Sequence, residues 1–148
     1  MKTVGYDPFL DAERAATISP NLRFTEDLLD LCASCDYLTI HVPATPSTKG
    51  MIGEAEIAAM KDGAAFLNFS RDTLVDNAAM AAGLQSGKVG RYVTDFATPE
   101  VMAMEGALVL PHLGASTAEA EENCAEMAVR EVMDYLETGT KTHCVNMK

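Results

Sequence analysis

Residues 64–96, AAFLNFSRDTLVDNAAMAAGLQSGKVGRYVTDF, decide the fold. Ala64 to Phe69 reads as a short apolar strand. Asp76 is placed to cap a helix running to Ser86, Gly87 ends that helix, and Val89 to Phe96 reads as the next strand. A strand, a capped helix and a strand in immediate succession make a crossover unit, which joins parallel strands.

The same alternation continues on both sides. Toward the N-terminus, Glu54 to Met60 predicts a helix closed by Gly63, and Ala44 to Gly53 is a loop rich in hydroxyls (Thr45, Ser47, Thr48). Tyr37 to Val42 predicts a buried strand stopped by Pro43, and Thr25 predicts the cap of a helix through Leu28, Leu29 and Leu31. Leu22 to Phe24 is a weak strand, Pro8 to Ser19 a short helix or irregular crossover, and Lys2 to Tyr6 a strand ended by Asp7-Pro8. Toward the C-terminus, Ala107 to Leu110 is one more strand. A capping box of Ser116 and Glu119 then opens a long helix ending before Gly139. In it Cys124, Met127, Ala128, Val132, Tyr135 and Leu136 fall at helical spacing, which predicts one apolar stripe facing a core. The class is α/β with a largely parallel sheet, and no repeat or linker divides residues 1–148 into more than one domain.

Composition supports a packed domain: 148 residues, 48% hydrophobic and 22% charged, supply a core and exclude disorder of the whole chain. The formal charge of −11 repels phosphate backbones and anionic headgroups, so nucleic acid and membrane are excluded as expected partners and a small-molecule site is favoured. No apolar run approaches the roughly 18 residues of a spanning helix, and the first residues lack a signal-peptide layout, so the expected compartment is the cytosol. Cys32, Cys35, Cys124 and Cys144 are then free thiols; with the three histidines they form no zinc spacing, and no metal site is expected. Cys32-Ala33-Ser34-Cys35 has redox spacing but falls toward a helix C-terminus, where no helix-start dipole stabilises a thiolate, and a structural role is favoured.

Four motifs follow in order: His41-Val42-Pro43-Ala44-Thr45-Pro46-Ser47-Thr48-Lys49-Gly50, Leu67-Asn68-Phe69-Ser70-Arg71, Thr94-Asp95-Phe96, and Pro111-His112-Leu113-Gly114-Ala115-Ser116-Thr117. With them the chain, from about Thr3 to Asn146, resembles the D-2-hydroxyacid dehydrogenase family, most closely the branch acting on 3-phosphoglycerate in serine biosynthesis. The resemblance implies a Rossmann-like, doubly wound fold. It also implies hydride transfer between nicotinamide and C2 of an anionic 2-hydroxy or 2-keto acid, with NAD as cofactor. Arg71 would hold the substrate carboxylate, a task its planar fork suits; taken alone it reads as a surface ion pair. His112 would move the proton of the alcohol oxygen, since its ordinary pKa lies near working pH. Glu100, at the family's spacing from Arg71 and Asp95, would orient that histidine.

On the cofactor side, Asp7 ends the first strand, where a carboxylate accepts from the adenosine ribose hydroxyls and favours NAD over NADP; plain turn punctuation is the other reading. The resemblance assigns Val42, Pro43 and Thr48 to the cofactor, the Phe69 and Ser70 backbone with Asp95 to the nicotinamide carboxamide and ribose, and Gly114, beside His112, to close approach of the ring. Asp72 stands where the family usually has glycine, and either pairs with Arg71 or points to water.

No G-x-G-x-x-G occurs. The resemblance therefore predicts a Rossmann-like domain truncated at its N-terminus, without its first strand and glycine turn and without the substrate domain. That strand is central in the family's order, between Lys2–Tyr6 and Tyr37–Val42. Its loss opens two edges whose buried, unpaired groups would cost on the order of 10 kcal/mol, comparable to a whole domain's stability. The expectation is that the gap is filled, with homo-oligomerisation by strand exchange as one route. A non-catalytic cofactor-binding or assembly module is the alternative function.

Overall fold

The computed structural model describes residues 1–18 and 21–146, so the expected end of the first crossover at Ser19 lies outside the described residues. The chain divides into two compact units, residues 1–111 and 112–148.

In the first unit the elements are β1 (Thr3–Gly5), α1 (Ala12–Ile18), β2 (Leu22–Phe24), α2 (Leu28–Ser34), β3 (Tyr37–Ile40), α3 (Glu54–Ala59), β4 (Ala64–Asn68), a 3₁₀ turn (Asp72–Leu74), α4 (Asn77–Ser86), β5 (Val89–Thr94), α5 (Pro99–Met102) and β6 (Ala107–Val109). The strands form two parallel sheets, β1-β2 and β3-β4-β5-β6. This is the Rossmann-like α/β class, with no ladder joining β1 to β3 among the described residues.

One apolar layer underlies both sheets. Leu31 and Cys32 of α2, Leu38 and Ile40 of β3, Ile57 of α3, Phe66 of β4 and Met80 of α4 are buried together, with Val4 and Tyr6 packed against them. Phe66 and Tyr92, opposite each other in the β4–β5 register, stack with centroids 5.7 Å apart. The β4-α4-β5 crossover is tight because two glycines leave no room for a side chain. A Cβ on Gly90 would lie 2.5 Å from the Gly63 carbonyl oxygen, and one on Gly83 would lie 2.9 Å from Ile57 Cγ2.

The helix ends show which expectations held. Asp76 caps α4 by accepting from the Ala78 and Ala79 N–H groups, and Gly87 ends it at φ 77°, as expected. Thr25 is not the cap of α2: Asp27 is, accepting the Leu29 N–H at 2.9 Å, while Thr25 Oγ1 takes the Asp27 N–H. β3 stops at Ile40 and is buried on one face only, with Tyr37 70% exposed, because helices cover one side of its sheet in this unit. β5 and β6 are each shorter than expected at the C-terminal end, and α5, a single turn started by Thr98 and Pro99, had no periodicity to reveal it.

The second unit is α6 (Ala118–Thr138) with its flanking segments. Its cap is Thr117, whose Oγ1 accepts the Ala120 N–H at 3.1 Å, not Ser116; the helix ends at Gly139 with φ 72°. None of its residues is buried, so this unit by itself supplies no core for the stripe through Val132 and Leu136. His143 Nδ1 lies 2.7 Å from Glu131 Oε1 and ties the following segment back to the helix.

Candidate active site

Parallel strands end on one side of their sheet, and in open α/β folds that side carries ligands. In the first unit Asp7 follows β1, Val42 and Pro43 follow β3, Phe69, Ser70 and Arg71 follow β4, and Asp95 follows β5.

The loops after β3 and β4 are fastened to each other. Ser70 Oγ donates to the Val42 carbonyl at 2.7 Å. Gly50 N–H donates to the Thr73 carbonyl at 2.9 Å and Ile52 N–H to the Leu74 carbonyl at 3.0 Å. Thr48 holds the hydroxyl-rich loop from within: its Oγ1 donates to the Pro43 carbonyl at 2.7 Å and accepts the Thr45 N–H at 2.9 Å.

Beneath Arg71 lies a residue the sequence reading did not single out. Asn68 is fully buried; its Nδ2 donates to the Arg71 carbonyl at 2.7 Å and its Oδ1 accepts the Ser70 N–H at 3.1 Å. Tyr92 and Thr94 on the adjoining strand are buried beside it. Burial pushes the Tyr92 hydroxyl above its ordinary pKa, against hydrogen bonds to Thr94 and Asn68 that act the other way. Thr94 Oγ1 in turn accepts the Phe96 N–H at 3.3 Å. The available signal was polar side chains at inward strand positions, since buried polar groups need partners.

Arg71 is exposed, and its guanidinium donates to the Ser70 carbonyl at 2.6 Å. Asp72 does not pair with it; Asp72 Oδ1 accepts the N–H of its neighbour Thr73 at 2.8 Å. Asp7 is exposed and Oδ1 accepts the Phe9 N–H at 2.8 Å, so it makes the turn while retaining acceptor capacity. Asp95 is half-buried directly after β5. Glu100 sits in the first turn of α5, exposed, and lines a groove between α5 and the Ala78–Ala82 face of α4. His112 and Gly114 belong to the second unit and are exposed.

The thiols fit a structural role. Cys32 is fully buried, and burial pushes its pKa to about 11; Cys35 is raised by burial as well. Neither has the thiolate character that redox chemistry needs. No group of three or more His, Cys, Asp or Glu side chains able to hold a metal occurs among the described residues, and no described helix is long and apolar enough to cross a membrane.

The family described as D-isomer specific 2-hydroxyacid dehydrogenase, NAD binding domain, matches residues 1–114. The chain is 35% identical to D-3-phosphoglycerate dehydrogenase of Rattus norvegicus, over 99% of this chain and 28% of that protein. It is 31% identical to D-3-phosphoglycerate dehydrogenase of Methanocaldococcus jannaschii, over 99% and 29%. It thus spans under a third of the length of these curated relatives. D-lactate dehydrogenase with NAD+ from Lactobacillus jensenii superposes with a TM-score of 0.80 at 25% identity, over 99% of this chain and 48% of that one. D-2-hydroxyisocaproate dehydrogenase superposes with a TM-score of 0.82 at 25% identity, over 95% and 47%.

Proposed function

The chain belongs to the D-isomer specific 2-hydroxyacid dehydrogenase family and matches its NAD-binding domain, and from that premise we propose that it is the cofactor-side part of an enzyme oxidising 3-phosphoglycerate at C2. The substrate follows the curated relatives, which are D-3-phosphoglycerate dehydrogenases over nearly all of this chain. What supports the reading most is the convergence of Asp7, Val42, Ser70, Arg71 and Asp95 at strand carboxyl ends in one unit, with the two central loops hydrogen-bonded together.

The residues present fit two parts of NAD. Asp7 suits the adenosine ribose, because a carboxylate accepts from vicinal hydroxyls and has oxygens beyond the one that takes Phe9 N–H. The Phe69 and Ser70 backbone and Asp95 suit the carboxamide and ribose at the other end. Val42, Pro43, Thr48 and Gly114 border the cofactor in this reading; Thr48 does so by shaping the loop, its hydroxyl being engaged by Pro43. No glycine-rich turn for the pyrophosphate occurs in residues 1–148. Bound NAD supplies the hydride acceptor.

Arg71 exchanges the Ser70 carbonyl for the substrate carboxylate, an exchange favoured because charge-assisted, bidentate bonds are the stronger ones. The family's pattern assigns His112 the proton of the C2 hydroxyl and Glu100 the role of the supporting acid. The test is NADH fluorescence titration. Saturable binding that weakens about 10-fold or more in Asp7→Ala, as loss of a charge-assisted hydrogen bond requires, is expected. Absence of saturable binding, or an unchanged affinity in Asp7→Ala, overturns the reading. Absence of binding together with self-association would favour the non-catalytic assembly module.

A further inference from the structure

We propose that the Tyr92 hydroxyl is a positioning group that ties the loop bearing Arg71 to the turn bearing Asp95, so that the two move as one piece. The tie rests on packing and hydrogen bonds; what each loop holds, a substrate carboxylate and a nicotinamide ribose, rests on the function proposed above.

Strand register brings the parts together. Asn68 at the end of β4 lies opposite Thr94 at the end of β5, and Phe66 lies opposite Tyr92. Residues two apart in a strand share a face, so these four side chains make one patch, and none of the four residues is more than 1% exposed. Among the described residues Asn68 and Thr94 are the two buried polar ones. The Tyr92 ring lies on Phe66, with centroids 5.7 Å apart, which fills the apolar half of the patch. Its hydroxyl belongs to the polar half, where it hydrogen-bonds to Asn68 and Thr94.

Each of those side chains serves the loop that follows its own strand. Asn68 Oδ1 accepts the Ser70 N–H at 3.1 Å, and Nδ2 donates to the Arg71 carbonyl at 2.7 Å. Thr94 Oγ1 accepts the Phe96 N–H at 3.3 Å and so fixes the turn in which Asp95 sits. None of these three bonds crosses from one loop to the other. A phenol hydroxyl donates one hydrogen bond and accepts others, so it can take the second Nδ2 proton of Asn68 and give its own to Thr94. That step completes a chain from Ser70 and Arg71 through Asn68, Tyr92 and Thr94 to Phe96. Phenylalanine would fill the space against Phe66 equally well. A buried hydroxyl is costly unless bonded, so its presence here points to the bonds it makes.

The experiment compares the 148-residue protein with Tyr92→Phe, which keeps the ring and removes only the hydroxyl. Amide hydrogen exchange followed by NMR is expected to speed up by about three- to tenfold at both Ser70 and Phe96, with the interior amides of β4 and β5 unchanged. The direct acceptors of both amides are intact in that variant, so the acceleration reads the tie. Thr94→Val should speed Ser70, whose N–H it does not touch, and should no longer do so once residue 92 is phenylalanine. Unchanged exchange at either amide in Tyr92→Phe, or acceleration spread evenly over β4 and β5 as from a general loss of stability, overturns the proposal. If Tyr92→Phe does not fold, Thr94→Val decides: faster exchange at Ser70 supports the tie and unchanged exchange overturns it. NADH fluorescence titration with and without oxamate, a small carboxylate, separates the tie from the functional reading. The tightening of NADH binding by oxamate should shrink by about half or more in Tyr92→Phe. An undiminished oxamate effect overturns the proposal, whereas failure of the parent protein to bind NADH overturns the functional reading and leaves the exchange data to decide the tie.

Discussion

Replacing Asn68 by leucine tests the claim that one buried amide fixes the loop carrying Arg71. The side chains are similar in volume, so no large cavity opens and the loss is almost wholly of hydrogen bonds. Asn68→Leu leaves the Ser70 N–H and the Arg71 carbonyl without the partners they meet at 3.1 and 2.7 Å. Each orphaned group costs about 1–3 kcal/mol if water does not reach it. Tyr92 keeps Thr94 and adds little. The sum is about 2–6 kcal/mol, a large share of a stability of about 5–15 kcal/mol.

For a chain of this size about 1 kcal/mol moves Tm by roughly 2–4 °C, so circular dichroism should record a loss of roughly 4–24 °C. A companion variant separates donor from acceptor. Asn68→Asp keeps the acceptor for Ser70 but can donate to the Arg71 carbonyl only while protonated. Burial raises that acid's folded pKa, so its stability is present at low pH and is lost as pH rises through the raised value. A melting point for Asn68→Leu within about 2 °C of the parent would refute the reasoning, because neither orphaned group would then have cost anything resolvable.

Gly90→Ala should destabilise by about 1–3 kcal/mol or more in urea titration, because its Cβ meets main chain; Gly83→Ala should cost less, since its clash is with the Ile57 and Val89 side chains and the helix gains propensity. Cys32 should resist iodoacetamide under native conditions while exposed Cys124 and Cys144 react, followed by mass spectrometry. Because burial raises the folded pKa of Cys32 from 9.0 to about 11, its contribution to stability is complete below pH 9 and lost as pH climbs to about 11; Cys32→Ala should flatten that limb of the urea-midpoint profile. Oxamate, a small carboxylate that would draw Arg71 from the Ser70 carbonyl, should tighten NADH binding several-fold in fluorescence titration, and Arg71→Gln should abolish the coupling.

The sequence made the punctuation legible where a side chain acts on its own backbone. Asp76 and Gly87 bound α4 as expected because a carboxylate cap and a left-handed C-cap are local devices. Thr25 and Ser116 failed as caps for a related reason: Asp27 and Thr117 stand nearby with equally good acceptors, and only the path of the chain decides between them. The ends of β3, β5 and β6 depend on where a neighbouring strand stops, which no local pattern encodes. At the site, four motifs in order named the candidate residues, and of these Val42, Ser70, Arg71 and Asp95 follow strand ends in the structure. Asn68 was quoted within one of them and passed over, because its role is set by Tyr92 and Thr94 on another strand.

The Ser70 carbonyl connects the substrate and cofactor halves of the proposed site. At rest it accepts the Arg71 guanidinium, and Asn68 holds both residues by the Ser70 N–H and the Arg71 carbonyl. Three other cations of the first unit, Arg23, Lys61 and Lys88, are closed in ion pairs with Asp30, Asp36 and Asp62. Arg71 rests instead on a neutral carbonyl, within a chain of net charge −11. An anionic substrate offers it a stronger acceptor, and its departure returns a carbonyl lone pair to the strand end where a carboxamide donor would lie. Under the proposed reading, occupation of one half would prepare the other, and Asp72, whose Oδ1 accepts the Thr73 N–H, does not compete for the guanidinium.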